Sequence, residues 1–436
     1  MNQKIRTIAA IDIGTTKIVA IVGKQDDSGK IEILGMGSSP SYGVKRGVVL
    51  NIEDTVNSIR NAVEQAKTKS SLELDEVYVG IAGQHIKSIR TRGQRYIESD
   101  EFEISRDDVA ALKEDMYKVP LDAGEEILHV LPQSYIVDNE VGVKNPVGMS
   151  GKRLEGNYHI VIGQTASANN IKKCINRVGL NVIDLILEPL ASSRAVLTDD
   201  EKEAGVALID IGGGTTDIAV YYDGIIRHTA VIPFGGNVIT NDIKTGFSIL
   251  ERHAEQLKLQ YGSALSEMAK ENEVVTVPGI SGREPKEISL KSLAYVIQAR
   301  MEEIIGAISY QIELSGVGGK LGAGIVLTGG GALLQNLPQL VSYTTGLDIR
   351  IGYPNKYLSG EYSKEVNQPM YATSVGLILQ GYEEMREKKP DEILKEKVKK
   401  TRSRDKDKDK DKDKKKAFDG ILNKMKEIFE EKDGEL

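Results

Sequence analysis

Apolar residues along this chain fall into short runs, many of them β-branched, each closed by a turn carrying glycine or aspartate. Ile8-Ala-Ala-Ile11 leads through Asp12-Ile-Gly-Thr-Thr-Lys17 to Ile18-Val-Ala-Ile-Val22, and then to the turn Asp26-Asp-Ser-Gly29. That order predicts three strands joined by tight turns. Val56, Ile59, Ala62, Val63 and Ala66 recur at helical spacing, predicting a helix over 53–67, and a strand follows over 77–82. The pattern loosens over 83–157, where Arg90, Arg92, Arg95, Glu98, Asp100, Glu101 and Glu103 leave little continuous core. Ser105 with Asp108 is a capping-box-like pair and predicts a helix over 106–117. The apolar stretch 127–138 is broken by Pro132, which predicts a pair of strands, and 145–151 is a turn-rich loop. The segment 158–163 is expected to resume the first unit, followed by a helix over 168–177, a strand over 182–187 and a helix opened by Glu188-Pro189.

The opening grammar returns in the second half. An apolar run at 205–209 leads to Asp210-Ile-Gly-Gly-Gly-Thr-Thr-Asp217, then to Ile218-Ala-Val-Tyr-Tyr222 and the turn Asp223-Gly224. Glycines and threonines at the tip of a strand–turn–strand leave backbone N–H groups uncovered, and a concave row of such donors suits phosphate oxygens. Either hairpin alone is equally well a glycine-rich turn. Two in one chain imply a duplicated domain clamping a nucleotide in a central cleft. The donors would come from Gly14, Thr15 and Thr16 on one side and Gly212, Gly213, Gly214, Thr215 and Thr216 on the other. Carboxylates beside a polyphosphate imply a bridging cation, here hydrated Mg²⁺ held through water by Asp12 and Asp210. Lys17 stands where the second copy has Asp217, so one jaw offers a cation and the other a carboxylate.

Between the second hairpin and the C-terminal third, helices are predicted after Pro233 and over 250–261, and a strand over 273–278. A long helix over 289–314 carries Leu293, Val296, Ile297, Met301, Ile304, Ile305, Ile308 and Ile312 on one stripe, the mark of core. Ile325-Val-Leu-Thr328 predicts a strand, closed by Gly329, Gly330 and Gly331 and a helix from Ala332.

The length of 436 residues suffices for two or more domains, and 40% hydrophobic with 28% charged residues describes a globular protein. A net charge of −7 gives no support for nucleic-acid binding as the main task. The single Cys174 forbids an internal disulfide, fits a reducing compartment and reads as buried packing. Asp12 ends the first apolar run too early for a signal peptide, and no uncharged run approaches the roughly 20 residues of a membrane span. A cytoplasmic protein is expected.

In their order, these motifs resemble the ATPase superfamily of actin, the heat-shock chaperones and the sugar kinases. The hairpins look like its phosphate loops, and the strand with Gly329–Gly331 looks like its adenosine motif. Ala254-Glu-Gln-Leu-Lys258 through Gly262 is similar to a helix whose Glu and Lys touch ribose and base in bacterial actins. The resemblance implies ATP with Mg²⁺, Glu255 and Lys258 at the nucleoside, and Glu188 as the one candidate for orienting an attacking water. A first-turn acid favoured by the helix dipole explains Glu188 equally well. At most slow ATP hydrolysis is expected.

The strings Ile127-Leu-His-Val-Leu-Pro-Gln and Lys144-Asn-Pro-Val-Gly-Met-Ser-Gly closely resemble the inserted subdomain of the bacterial cell-division FtsA family. The expected class is therefore α/β, an actin-like duplicated ATPase fold with an FtsA-type insert, a disordered linker and a C-terminal amphipathic helix. The resemblance implies subdomains 1A (1–82 and 158–202), 1C (83–157), 2A (203–235 and 316–386) and 2B (236–315). It also implies head-to-tail polymerisation, recruitment of other division proteins, and a place on the cytoplasmic face of the inner membrane at the division site. The C-terminal tail of the tubulin-like FtsZ would dock on 2B, with Arg300 a candidate contact and a solvated arginine the simpler role. A pilus-assembly actin relative and a sugar kinase are the rivals. A kinase needs a positioned base near the γ-phosphate, and no string beyond Glu188 offers one.

The tail adds its own signal. Residues 387–416 lose their apolar content and end in alternating Asp-Lys, which has nothing to bury and predicts a solvated linker. Over 417–436, Phe418, Ile421, Leu422, Met425, Ile428 and Phe429 fall at helical spacing with Lys424 and Lys426 at the edge, predicting a helix that lies on a lipid surface. Docking onto the core or onto a partner is the other use of such a helix.

Overall fold

β1 (Thr7–Ile13) and β2 (Lys17–Gln25) form the expected antiparallel hairpin, with Asp12 opposite Val19 and Ile13 opposite Ile18. The computed structural model describes residues 7–26, 28–98, 102–279 and 283–387. The chain divides into two units, 1–381 and 382–436, and the sheets and the candidate site lie in the first.

β3 (Ile31–Pro40) pairs with β2, and β4 (Val44–Lys45) and β5 (Val48–Val49) form a small hairpin. α1 (Ile52–Ser70) outruns its predicted span because Asn51 caps it, accepting from the amides of Glu53 and Asp54, and Ser71 in the left-handed region ends it. Its buried Val56, Ile59, Ala62, Val63 and Ala66 share a core with β1 and β2. β6 (Glu76–Ile81) runs parallel to β1.

The chain then leaves this sheet. β7 (Lys87–Tyr96), α2 (Arg106–Met116), β8 (Glu125–Val137), β9 (Glu140–Val143) and β10 (Arg153–Gln164) build a second sheet ordered β7-β10-β8-β9. It has its own core, including Ile104, Leu112, Leu154, Tyr158 and Ile160, and Ser105 and Asp108 do form the capping box of α2. Two expectations are corrected here. β8 runs unbroken through Pro132, which pairs with Tyr158 beside a β-bulge. The proline is tolerated because β9 pairs only at Tyr135 and Val137, so among the described residues β8 has no second neighbour at 132. Residues 158–163, expected to resume the first unit, are the second half of β10, and the insert extends to Gln164 rather than 157. An apolar strand reads the same whichever sheet it joins.

α3 (Thr165–Arg177), β11 (Asn181–Leu187) and α4 (Glu188–Val196) complete the first half, and a short α5 (Asp199–Ala204) leads on. β12 (Val206–Ile211), β13 (Thr216–Tyr222) and β14 (Ile225–Ile232) repeat the opening strands. α6 (Gly236–Phe247), α7 (Glu251–Tyr261), β15 (Val274–Val277), β16 (Lys286–Ser289) and α8 (Leu290–Leu314) follow. Every stripe residue of α8 is buried except Val296, which packs partly buried on the same core.

β17 (Ile325–Thr328) is not followed at once by the helix expected from Ala332. Gly330–Leu333 makes a single 3-10 turn, Asn336 turns left-handed, and α9 (Leu337–Thr345) starts there with Pro338 in its first turn. β18 (Ile349–Ile351), β19 (Leu358–Ser359), α10 (Ser363–Val366) and α11 (Ala372–Glu387) close the described chain. The sheet order β14-β13-β12-β17-β18 reproduces the run β3-β2-β1-β6-β11 of the six-stranded sheet, so the duplication inferred from two hairpins extends to five strands in each half. Among the described residues no helix is long and apolar enough to cross a membrane.

Candidate functional site

The two hairpins meet tip to tip. A Cβ on Gly213 would fall on Thr16 Oγ1 and one on Gly214 on Thr15 Oγ1, so only glycine allows the approach. The Gly212 amide donates to Thr215 O at 2.9 Å, and the Gly212 and Gly213 carbonyls accept from Gly236 N at 2.9 Å and Asn237 N at 2.8 Å, tying the start of α6 to the loop. The amides of Gly213 and Gly214 donate to no backbone carbonyl among the described residues.

The registers correct one equivalence. Ile13 pairs with Ile18 and Ile211 with Thr216, so Lys17 matches Thr215, while Asp217, opposite Asp210, matches Val19. Both loops place four residues between these pairs, so matching the two Thr-Thr strings in the sequence shifts the alignment by two positions. The charge asymmetry between the jaws stands, but it comes from two separate positions.

Strand ends bring the acids together. Asp12 accepts from Ser374 Oγ at 3.1 Å. Asp210 Oδ2 accepts from Ser192 Oγ at 2.6 Å and Thr373 Oγ1 at 3.2 Å. Asp217 accepts from Thr215 Oγ1 at 3.0 Å, and its Oδ1 is buried without a partner among the described residues. Glu188 opens α4 beside Gly80, whose Cβ would lie 3.2 Å from Glu188 Oε1. Burial pushes the Asp12 carboxyl up to about 6 despite the attraction of Lys17, with Asp210 adding to the rise. Burial and the neighbouring acids hold Glu188 and Asp217 well above the carboxylate range. Asp210 is raised by burial against the donations of Ser192 and Thr373. Lys17 is the cation at these acids, lowered to about 8 by burial against the pull of Asp12 and Asp210. Its Nζ has no hydrogen-bond partner among the described residues and sits 3.8 Å from the centre of the Tyr371 ring. The cluster is therefore short of positive charge. Among the described residues no three Asp, Glu, His or Cys groups converge as direct ligands of one metal ion.

On the opposite side, Lys258 Nζ donates to Gly236 O at 3.0 Å, Thr240 Oγ1 at 2.8 Å and Glu255 Oε2 at 2.8 Å, and Glu255 also accepts from Thr240. Both α7 residues are thus committed to the start of α6, next to the second hairpin. The three glycines after β17 differ from one another. Gly329, at φ +81°, packs on Asp210 and the Ile211 carbonyl, Gly331 packs on the Ile211 side chain, and Gly330 alone faces open space. Arg300 stands apart from this cluster, donating to Asp242 at 2.5 and 3.2 Å and to Glu303. Phe418, Ile421, Leu422, Met425, Ile428 and Phe429, and the charged linker, lie outside the described residues. Sequence reasoning missed Ser192, Tyr371, Thr373 and Ser374. The local signals are the pairs Ser192-Ser193, one turn into α4, and Thr373-Ser374, in the first turn of α11; Tyr371 carries none.

Comparison with known proteins agrees with the inserted sheet and the duplicated halves. Residues 207–376 match the family described as Cell division protein FtsA, and 83–162 match the SHS2 domain inserted in FTSA. The chain is 41% identical over 379 residues to Cell division protein FtsA of Pseudomonas aeruginosa, covering 87% of this chain and 90% of that protein. It is 38% identical over 387 residues to that of Escherichia coli K12, covering 87% and 91%, and 36% identical over 369 residues to that of Bacillus subtilis, covering 85% and 82%. Among solved structures, a PilM–PilN type IV pilus biogenesis complex is similar with TM-score 0.61 at 14% identity, over 86% of this chain and 98% of that chain. MreB5 of Spiroplasma citri bound to ADP is similar with TM-score 0.53 at 16% identity, over 85% and 94%. At those identities the structural likeness speaks for the actin-like fold alone, which the pilus protein shares. Sequence identity sustained over most of both chains, with the inserted sheet matched separately, decides between them: the chain belongs to the FtsA family of cell division proteins.

Proposed function

We propose that this chain binds ATP with Mg²⁺ between the two hairpins, polymerises in that state, and holds FtsZ filaments against the cytoplasmic face of the membrane, where it recruits other division proteins. The observation that carries the nucleotide is the buried Lys17 ammonium, which has no hydrogen-bond partner among the described residues, taken with the amides of Gly213 and Gly214, which donate to no backbone carbonyl among them. These are donors with no acceptor, at the meeting point of two glycine loops. Lys17 and the amides and hydroxyls of Gly14–Thr16 and Gly212–Thr216 would bind the phosphates, and Gly330 offers the open face for adenosine. Glu255 and Lys258 sit next to the second hairpin for the nucleoside. A divalent cation would supply the positive charge the acids lack, with Asp12 and Asp210 holding its water shell, themselves oriented by Ser374, Ser192 and Thr373. Asp217 adds a buried acid on the second jaw. Burial and the neighbouring Asp12, Asp217 and Asp210 hold the Glu188 carboxyl well above the usual range, and at most slow turnover is expected of this site.

The division into 1A, 1C, 2A and 2B is retained with the insert extended to Gln164. FtsZ docking on 2B would use the α6–α8 face around Arg300, a contact made in competition with Asp242. The helix over 417–436 would be the membrane anchor. Its six apolar side chains give about 9–18 kcal/mol gross on full burial, and ordering a dozen residues costs on the order of 1 kcal/mol each. A lone anchor is therefore weak, and a polymer presenting many is strong. Equilibrium dialysis tests the nucleotide site. Wild-type protein should retain ATP only with Mg²⁺, and Gly213→Val should abolish retention. Undiminished retention by that variant refutes the site.

A further inference from the structure

Lys17 raises a question that the phosphate role alone leaves open, namely what holds a buried ammonium in place before any anion arrives. An ammonium carries three donors, and burying it with none satisfied is costly. Asp12 and Asp210 attract it but do not reach it for a hydrogen bond. The group in direct contact is the Tyr371 ring, whose centre lies 3.8 Å from Nζ. The negative face of an aromatic ring holds a cation without presenting a directed acceptor.

We propose that Tyr371 is a positioning residue for nucleotide binding, its ring face keeping the Lys17 ammonium at the hairpin tips with its donors free for a phosphate oxygen. The proposal rests on ATP binding between the hairpins. Had Lys17 been locked to Asp12 in an ion pair, an arriving phosphate would have to break that pair. A ring contact yields more easily, because no hydrogen bond is lost when the ammonium turns to a stronger acceptor. The ring is itself fixed. Tyr371 ends the 3-10 turn Pro369–Tyr371, and the Pro369 carbonyl accepts from Gly329 N and Thr328 Oγ1, both at 3.2 Å. Two and three residues on, Thr373 and Ser374 hold Asp210 and Asp12. One short segment thus sets the lysine and both acids.

The test is a titration of the full-length protein with ATP·Mg²⁺ and with adenosine, in wild type, Tyr371→Leu, Tyr371→Phe, Lys17→Met and the Lys17→Met/Tyr371→Leu double variant. Tyr371→Leu should weaken ATP about tenfold, between the exposed and the desolvated values of a ring–cation contact, and leave adenosine unchanged. Tyr371→Phe, which keeps the ring, should bind ATP within about twofold of wild type. In the Lys17→Met background the leucine substitution should cause no further loss. Equal losses for ATP and adenosine, or losses that add in the double variant, overturn the positioning role. Wild type that binds no ATP overturns the nucleotide site itself, which is a separable result. Tyr371→Gln serves as the ring-less variant should the leucine form not fold.

Discussion

At Gly213 the absent Cβ is what lets the hairpins touch, so Gly213→Ala must part them or displace Thr16. Overpacking of this kind costs about 1–3 kcal/mol, read as a lower midpoint in chemical denaturation. Adding Thr16→Ala removes the clashing hydroxyl and should recover most of that loss; a double variant no more stable than Gly213→Ala would show that the two loops do not meet. The hairpins were legible in the sequence because each is local, Asp12 and its pairing partner Val19 lying on one turn. The hydroxyls that hold the acids were not. Ser374 is 362 residues from Asp12, and no sequence periodicity reports a contact made only when two sheets assemble.

Two element contacts set the frame of the site. α4 and α11 cross at Ala191 and Gly376, where a Cβ on Gly376 would fall on the Ala191 carbonyl. Glycine inside a helix costs about 1 kcal/mol relative to alanine. Here alanine would strike backbone that cannot rotate away, so Gly376→Ala should destabilise the protein by about 3 kcal/mol in denaturant melts, against the helix-propensity trend. The insert meets β14 and the end of α8 through Arg90, donating to the carbonyls of Arg227 and Ser315, and meets β14 again through His159 Nε2, 2.8 Å from Thr229 Oγ1. Burial, with His228 and Arg90 nearby, lowers His159 to about 4 from the usual 6.5. The unfolded chain therefore binds a proton that the folded one refuses between those values. The stability of neutral His159 is complete above pH 6.5 and is lost as pH falls towards 4, by on the order of 3 kcal/mol. Asp12, raised to about 6, has the opposite sign and favours folding as pH falls through 6. His159→Gln isolates the histidine: its melting temperature should fall less steeply than wild type between pH 6.5 and 4.5, and parallel curves would refute the assignment.

Across the whole chain, the repeated motif foretold a duplicated domain but not its strand order, and the insert boundary at Gln164 escaped because an apolar strand carries no label for its sheet. The anchoring proposed for 417–436 belongs to this scale too. In liposome flotation with ATP, full-length protein should rise with the vesicles, and Phe429→Glu should remain in the dense fraction. Wild type should also lose flotation when assembly is blocked, since one anchor is weak. A truncation at Lys416 that still floats would refute the anchor.

The matched order of the two sheets has a further consequence. Asp12 and Asp210 occupy equivalent places in the two copies, so the proposed nucleotide site lies where two halves of the same build meet. Two identical halves would offer the same face to either end of a ligand and could not tell head from tail. Lys17 against Thr215, and Val19 against Asp217, are where that mirror broke. A ligand between the two loops would therefore meet a lysine on one side and an acid on the other, and could lie only one way round.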